Sequence, residues 1–194
     1  LLMLLVGALG LLPAVAQTLT PLHSFTTASA TFPYTNGDGT QPQAGLVLSG
    51  NTLYGTASHG GSAGYGAVFA VNPSGAGFTN LYSFTNGTDG AYPNAMILSG
   101  NTLYGTANAG GAGGGTVFKL NTDGTGLTIL HTFTALASDG LAPYPDKTNS
   151  DGYAPLAGLI LSGNTLYGTT SVGGADSGTV FRLDTDGNNF TNLY

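Results

Sequence analysis

The sequence predicts an all-β protein built from tandem four-stranded antiparallel blades, a partial β-propeller of about three blades plus a partial one. Three observations predict it. Glycine supplies 33 of 194 residues, more than twice the roughly 7% of an average chain. Charged residues make up 6%, against roughly 25% in an ordinary soluble domain. One nonapeptide, Leu-Ser-Gly-Asn-Thr-Leu-Tyr-Gly-Thr, recurs unchanged at 48–56, 98–106 and 161–169.

Composition excludes several classes. Hydrophobic residues reach 41%, whereas disorder needs low hydrophobicity and high charge. The glycines do not recur every third position, so the chain is not collagen. Helical bundles want runs of Ala, Glu, Lys and Leu, but this chain has no Glu and offers Gly, Thr, Asn and Ser instead. Lys119, Lys147 and Arg182 face nine aspartates, for a net charge of −6. Three scattered cations cannot neutralise a phosphate backbone, which excludes nucleic acid as a partner. The absence of cysteine removes a disulfide framework and thiolate metal sites.

At the N-terminus, residues 1–16 read as a signal peptide. Residues 1–12 are almost wholly apolar, Pro13 ends the run, and Ala14-Val15-Ala16 gives the small-x-small pattern of a cleavage site. Twelve apolar residues fall short of the about 20 that span a bilayer. The mature chain is therefore expected to carry no membrane span and to be secreted or held at the cell surface. The initiator Met and a basic n-region are missing, and the chain stops inside a strand pattern, so truncation at both ends is expected.

Residues 17–194 read as the repeat region, with repeat cores near 45–85, 95–134 and 158–194 and a variable insert at 135–155. Each nonapeptide leads to a glycine pair (Gly60-Gly61, Gly110-Gly111, Gly173-Gly174), then to a Gly-(Ala/Thr)-Val-Phe run. A polar turn carrying Gly75, Gly124 or Gly187 follows, and an aromatic segment closes the unit at 81–85, 130–134 and 193–194. Residues 22–26, Leu-His-Ser-Phe-Thr, are the same segment of an earlier unit. The nonapeptide lies 33, 32 and 32 residues before its closing segment, while the reverse distances are 26, 17 and 31. Constant spacing marks the packed unit, and variable spacing marks surface loops.

Within the first unit, residues 45–49 alternate Leu46 and Leu48 as a strand does. Gly50-Asn51 supplies a two-residue turn, so 52–57 pairs back as a hairpin. Residues 67–71 are β-branched and aromatic, the third strand. Asn72-Pro73-Ser74-Gly75 turns the chain into a fourth strand at about 78–85. Such a sheet cannot bury both faces alone, so neighbouring sheets must stack.

Leu-Tyr-Gly-Thr, the glycine pair, Gly-Thr-Val-Phe-Lys-Leu-Asn-Thr-Asp-Gly at 115–124 and Leu-His-Ser-Phe-Thr at 22–26 closely resemble the GloVer tandem repeat. The resemblance covers residues 22–194. It implies an exported bacterial protein, often with a C-terminal anchoring signal, and it implies no catalytic residues.

Candidate chemistry is sparse. Asp-Gly-x-x-Pro recurs at Asp38, Asp89 and Asp151, and again at Asp139 within the insert. A ring of carboxylates at one mouth is one reading; a turn followed by a Pro that fixes the chain is the favoured one. Asp184-Thr185-Asp186-Gly187-Asn188 spaces oxygen ligands as a calcium loop does, but its counterparts at 72–75 and 121–124 read as hairpin turns. His23 and His131 stand where other units carry Tyr82 and Tyr194, which favours packing or hydrogen bonding over catalysis. No phosphate-binding loop, HExxH or Ser-His-Asp arrangement is present, so no cofactor and no metal are expected. The insert carries Tyr144, Asp146, Lys147 and Tyr153, the expected ligand-contact loop. The function expected is a non-enzymatic extracellular scaffold that contacts carbohydrate or another surface protein. The alternative is a fragment of a glycan hydrolase or lyase propeller whose catalytic residues lie in other blades.

Overall fold

The computed structural model describes residues 19–138, 147–175 and 177–194. Three four-stranded antiparallel sheets succeed one another as blades. Blade 1 is β1 (Val47–Ser49), β2 (Thr52–Ala57), β3 (Ala67–Val71) and β4 (Thr79–Ser83). Blade 2 is β5 (Ala91–Ser99), β6 (Thr102–Ala109), β7 (Gly113–Asn121) and β8 (Thr128–Thr134). The insert adds β9 (Ala137–Ser138) and β10 (Lys147–Tyr153). Blade 3 is β11 (Ile160–Ser162), β12 (Thr165–Thr169), β14 (Val180–Asp184) and β15 (Thr191–Asn192), with β13 (Val172–Gly174) preceding β14. In every blade the strands lie side by side in chain order.

The nonapeptide opens each blade with a tight hairpin. Ser49 pairs with Thr52, Ser99 with Thr102 and Ser162 with Thr165, leaving a two-residue Gly-Asn turn. Strands β2 and β3 match the expected 52–57 and 67–71, while β1 and β4 are shorter than expected. β4 ends at Ser83, one residue before Phe84, whose N–H still donates to Gly66 O at 2.9 Å while its side chain crosses to blade 2. The insert is more regular than a loop. β10 pairs with β9 and with β13, and Tyr153 opposite Val172 repeats the pairing of Ala91 with Ala109 in blade 2.

Side chains alternate across each sheet, so every blade has a front and a back face. The back of blade 1 (Val47, Tyr54, Val68) packs on the front of blade 2 (Met96, Leu98, Leu103, Phe118, Leu120). The back of blade 2 (Ile97, Tyr104, Val117) packs in the same way on Leu159, Leu161, Leu166, Phe181 and Leu183 of blade 3. The nonapeptide glycine makes room for this layer: a Cβ on Gly105 would lie 2.7 Å from the Phe118 ring.

One aromatic pair recurs at each joint. Phe25, Phe84 and Phe133 of the closing segments meet Phe69, Phe118 and Phe181 of the following blade, with ring centres 5.3, 5.2 and 5.3 Å apart at steep angles. The edge-to-face contact contributes about 0.5–1.5 kcal/mol beyond burial, and burying a phenyl ring about 1.5–3 kcal/mol. Burial therefore supplies most of the stabilisation, and the ring geometry fixes where the blades meet. Phe84→Ala is expected to cost about 3–5 kcal/mol, read as a shift of the urea midpoint with an unchanged slope.

Candidate functional site

The recurrent aspartates are the best-defined polar constellation, and they lie inside the joints. Asp38, Asp89 and Asp151 are each more than nine-tenths buried. Asp89 accepts hydrogen bonds from the Tyr82 hydroxyl (2.9 Å), the Thr85 N–H (2.8 Å), the Thr85 hydroxyl (2.7 Å) and the Gly87 N–H (3.1 Å). Asp38 accepts from His23 Nε2 (3.0 Å), the Thr26 N–H (2.9 Å) and the Thr26 hydroxyl. Asp151 repeats the set with His131 Nε2 (3.3 Å), the Thr134 N–H (3.0 Å) and the Thr134 hydroxyl. Each carboxylate thus ties the closing segment of one unit to the entry of the next. His and Tyr interchange because both present a ring N–H or O–H at similar reach. The imidazoles also stack: His23 on Phe78 at 3.6 Å and His131 on Phe190 at 3.7 Å between ring centres.

The glycine after each aspartate holds the turn. Gly39, Gly90 and Gly152 have φ of 96°, 96° and 97°, a conformation that L side chains rarely adopt. A Cβ there would also run into Ala57, Thr116 or Thr170. Sequence reasoning missed the residue two places before the aspartate. Asn36 Nδ2 donates to the Thr26 and Gly39 carbonyls, at 2.9 and 2.7 Å, while its Oδ1 accepts from the Gly39 and Gly61 N–H groups, both at 2.9 Å. Asn149 does the same toward Thr134 and Gly152. The signal was available as Asn-x-Asp-Gly at 36–39 and 149–152. In blade 2 the Gly87 carbonyl takes over, accepting from Gly111 N–H at 2.8 Å.

Electrostatics follow from this packing. Burial acts to raise the Asp38 pKa, but the hydrogen bonds from Thr26 and His23 outweigh it and hold the carboxyl below its ordinary value. Burial together with the Asp89 carboxylate pushes Tyr82 up to about 12. Burial lowers His131, opposed in part by the charge and hydrogen bond of Asp151. His59, beside Tyr92 with ring centres 4.7 Å apart, is also lowered by burial.

The remaining expected site residues fall elsewhere. Tyr144 and Asp146 lie outside the described residues, as does Asp139. Lys147 begins β10, and Tyr153 ends it, half-buried. The loop at Asp184 is a hairpin turn closed by the Gly187 N–H to the Asp184 carbonyl (2.8 Å) and the Asp184 N–H to the Asn188 carbonyl (2.9 Å). Asn72–Gly75 and Asn121–Gly124 close alike. Among the described residues no helix is long and apolar enough to cross a membrane.

A separate cleft of about 250 Å³ opens where the segments entering the first strands of the three blades converge. Gln43, Thr56, Ser58 and Asn94 line it with neutral polar groups, and Pro93 and Leu156 with apolar ones.

Stacked four-stranded blades, joined by buried carboxylates and not closed into a ring among the described residues, define a propeller-like tandem-repeat protein. Residues 14–194 match the model of the Gloeobacter/Verrucomicrobia repeat, and the chain belongs to that family. No curated protein matches the chain. Among solved structures it is similar to one in a nidogen/laminin complex, with a TM-score of 0.48 and 17% identity over 74% of this chain and 44% of that one. A putative TolB from Agrobacterium tumefaciens gives 0.44 and 15% over 80% and 47%. The computationally designed Ika4 protein gives 0.45 and 16% over 81% and 75%. The chain spans less than half the length of the nidogen/laminin and TolB chains.

Two outcomes test the joint. Asp89→Asn turns one acceptor oxygen into a donor facing other donors, and is expected to cost about 1–3 kcal/mol in chemical denaturation. Acid lowers stability in two steps, because folded His131 and folded Asp38 both bind protons less readily than their unfolded forms. The first step begins below about 6.5, where the unfolded histidine charges, and the second below about 3.8, where the unfolded aspartate does. His131→Tyr places there the residue that blade 1 carries as Tyr82, so the upper step shrinks, as urea midpoints at neutral and mildly acidic pH will read.

Proposed function

We propose that the chain is a non-catalytic binding scaffold of an exported bacterial protein, and that the cleft between its blade entries contacts carbohydrate. One observation carries the reading. The recurrent Asp, His and Tyr side chains are engaged with one another inside the joints, while the open cleft presents Gln43 and Ser58 beside Pro93 and Leu156. Neutral amides and hydroxyls suit sugar hydroxyls, and adjoining apolar groups suit the C–H face of a pyranose. Export is supported by the leader-like residues 1–16, and a bacterial source by the family to which the chain belongs.

A glycan array probed with the chain tests the ligand class. The expected result is retention of a defined set of glycans, weakened several-fold by Gln43→Ala with Ser58→Ala, two substitutions outside the blade cores. An array without a retained glycan, or binding indifferent to the double variant, overturns the reading. Export is checked separately: residues 1–20 fused to a reporter active only outside the cytoplasm are expected to give activity in a bacterial host.

A further inference from the structure

A tandem repeat separates two kinds of side chain. Those that packing dictates recur in every unit, and those found in a single unit answer to something else. Three aromatic residues at one end of the joint between blades 1 and 2 are of the second kind. His59 stands where the other units carry Ala109 and Val172, and Tyr65 where they carry Gly114 and Ser177. Tyr92 stands where they carry Gln41 and Ala154, and these three hold positive φ before proline, 57°, 57° and 53°. Other units form the same turn without a ring, so neither strand nor joint requires one there.

The structure brings these rings into one row. His59 and Tyr65 belong to the connection between β2 and β3, and the Tyr92 N–H donates to the Tyr65 carbonyl at 2.8 Å across the joint. Ring centres lie 4.7 Å apart from His59 to Tyr92 and 6.1 Å from Tyr92 to Tyr65. The row continues at 6.0 Å from Tyr65 to Phe32 and 6.0 Å from Phe32 to Tyr34. Phe32 and Tyr34 come from the loop before blade 1, which is seated on the same connection. The Asn36 N–H donates to the Gly61 carbonyl at 3.1 Å, and a Cβ on Gly64 would collide with the Pro33 carbonyl. The row thus crosses the end of a joint whose two blades are both present, and does not lie on an uncovered blade face.

Its outer end is open. His59, Tyr65 and Tyr92 are half-buried, whereas Phe32 and Tyr34 are 66% and 50% exposed, and exposed apolar groups gathered in one place mark binding surfaces. Its inner end adjoins the cleft proposed above to contact carbohydrate. Ser58 Oγ lies 3.0 Å from His59 Nδ1, and Ser58 and Pro93 both line that cleft. Cleft and row are therefore continuous, through Ser58-His59 on one side and Tyr92-Pro93 on the other. Burial holds His59 below its ordinary pKa, so the row carries no charge at neutral pH.

We infer that the row extends the cleft into a track for a polymeric glycan, so that the chain takes a stretch of neutral polysaccharide in preference to a disaccharide. This rests on the carbohydrate reading of the cleft. A pyranose turns C–H groups, polarised positive, toward the negative face of an aromatic ring, and its hydroxyls find Gln43 and Ser58 in the cleft. Sugar residues beyond the one in the cleft lie over Tyr92, Tyr65 and Phe32. Edge-to-face contacts already link those rings, which lowers the cost of ordering them on binding. A nucleic-acid strand would also stack, but it needs cations for its phosphates, and Lys119, Lys147 and Arg182 lie on other strands, β7, β10 and β14.

The experiment measures, by isothermal titration, the affinity of the 194-residue chain for cellulose, xylan, mannan and chitin oligomers, each as disaccharide and hexasaccharide. The chain has no Trp, so Phe32→Trp keeps a ring in the row and adds a fluorophore that reports on this place alone. The hexasaccharide of at least one series is expected to bind about tenfold tighter than its disaccharide, and to move the emission of the Phe32→Trp chain to shorter wavelength. Phe32→Ala with Tyr34→Ala, both in an exposed loop, is expected to erase that difference while leaving disaccharide binding and the urea midpoint unchanged. Gln43→Ala with Ser58→Ala instead weakens both lengths alike. A disaccharide bound as tightly as its hexasaccharide, a length preference that survives loss of both rings, or hexasaccharide binding without a change in emission overturns the track and leaves the cleft reading standing. If no oligomer of either length binds, track and cleft reading fall together.

Discussion

Everything in this fold depends on one constraint: a four-stranded sheet with two apolar faces is unstable by itself, so each blade must be covered by its neighbours. Val68 and Val117 are fully buried only because another blade lies against them. Strand pairing builds the blade, but contact between blades keeps it dry. Stability is then a sum of blade terms and nearest-neighbour terms, as in other repeat architectures. Phe25, Phe84 and Phe133 belong to that second kind of term, since each leaves its own unit to pack on the next.

The joints show how a chain with so little charge uses it. An isolated buried carboxylate is costly, and the group tends to neutralise unless it is hydrogen-bonded. Here each joint aspartate is met by one imidazole or phenol, one threonine hydroxyl and at least one backbone N–H. The acceptor capacity of the carboxylate is largely used, and the backbone donors it satisfies would otherwise be stranded at a blade edge. Burial favours the uncharged carboxyl and hydrogen bonding favours the ion; at Asp38 the hydrogen bonds prevail. The aspartate therefore acts as a directional tie between units.

Much of the blade was legible in the sequence because its signals are local. The Gly-Asn turn and the alternation of Leu46 and Leu48 need only neighbouring residues, and β2 and β3 fall where that pattern puts them. The joints were less legible because their partners lie in different units. Asp38 reads locally as a turn residue, and the turn is real, but its burial follows from His23 and Thr26 folding back from 15 and 12 positions away. Asn36 gave only a short Asn-x-Asp-Gly pattern, interrupted where Gly87 replaces it. The positive φ of Gln41, Tyr92 and Ala154 had no compositional mark, since Gln, Tyr and Ala are not the residues that turns select. The strand β10 was not legible for a related reason: it is held by β13, whose Val172 lies well beyond Tyr153 in the chain.

The same geometry accounts for the exact recurrence of the nonapeptide. Within 98–106, Leu103 faces the back of blade 1 and Tyr104 faces blade 3. Gly105 lies beneath the Phe118 ring of its own blade, and the Thr106 hydroxyl donates to the Ala157 carbonyl across the second joint at 3.1 Å. Four successive residues thus answer to three blades. A larger side chain at Gly105 would displace Phe118 from Phe84, and that displacement would reach blade 1. Substitution at one copy is constrained by the packing on both sides, and the packing is the same at each joint. Loops facing solvent carry no such double constraint, which is why the distance from closing segment to nonapeptide varies while the nonapeptide does not.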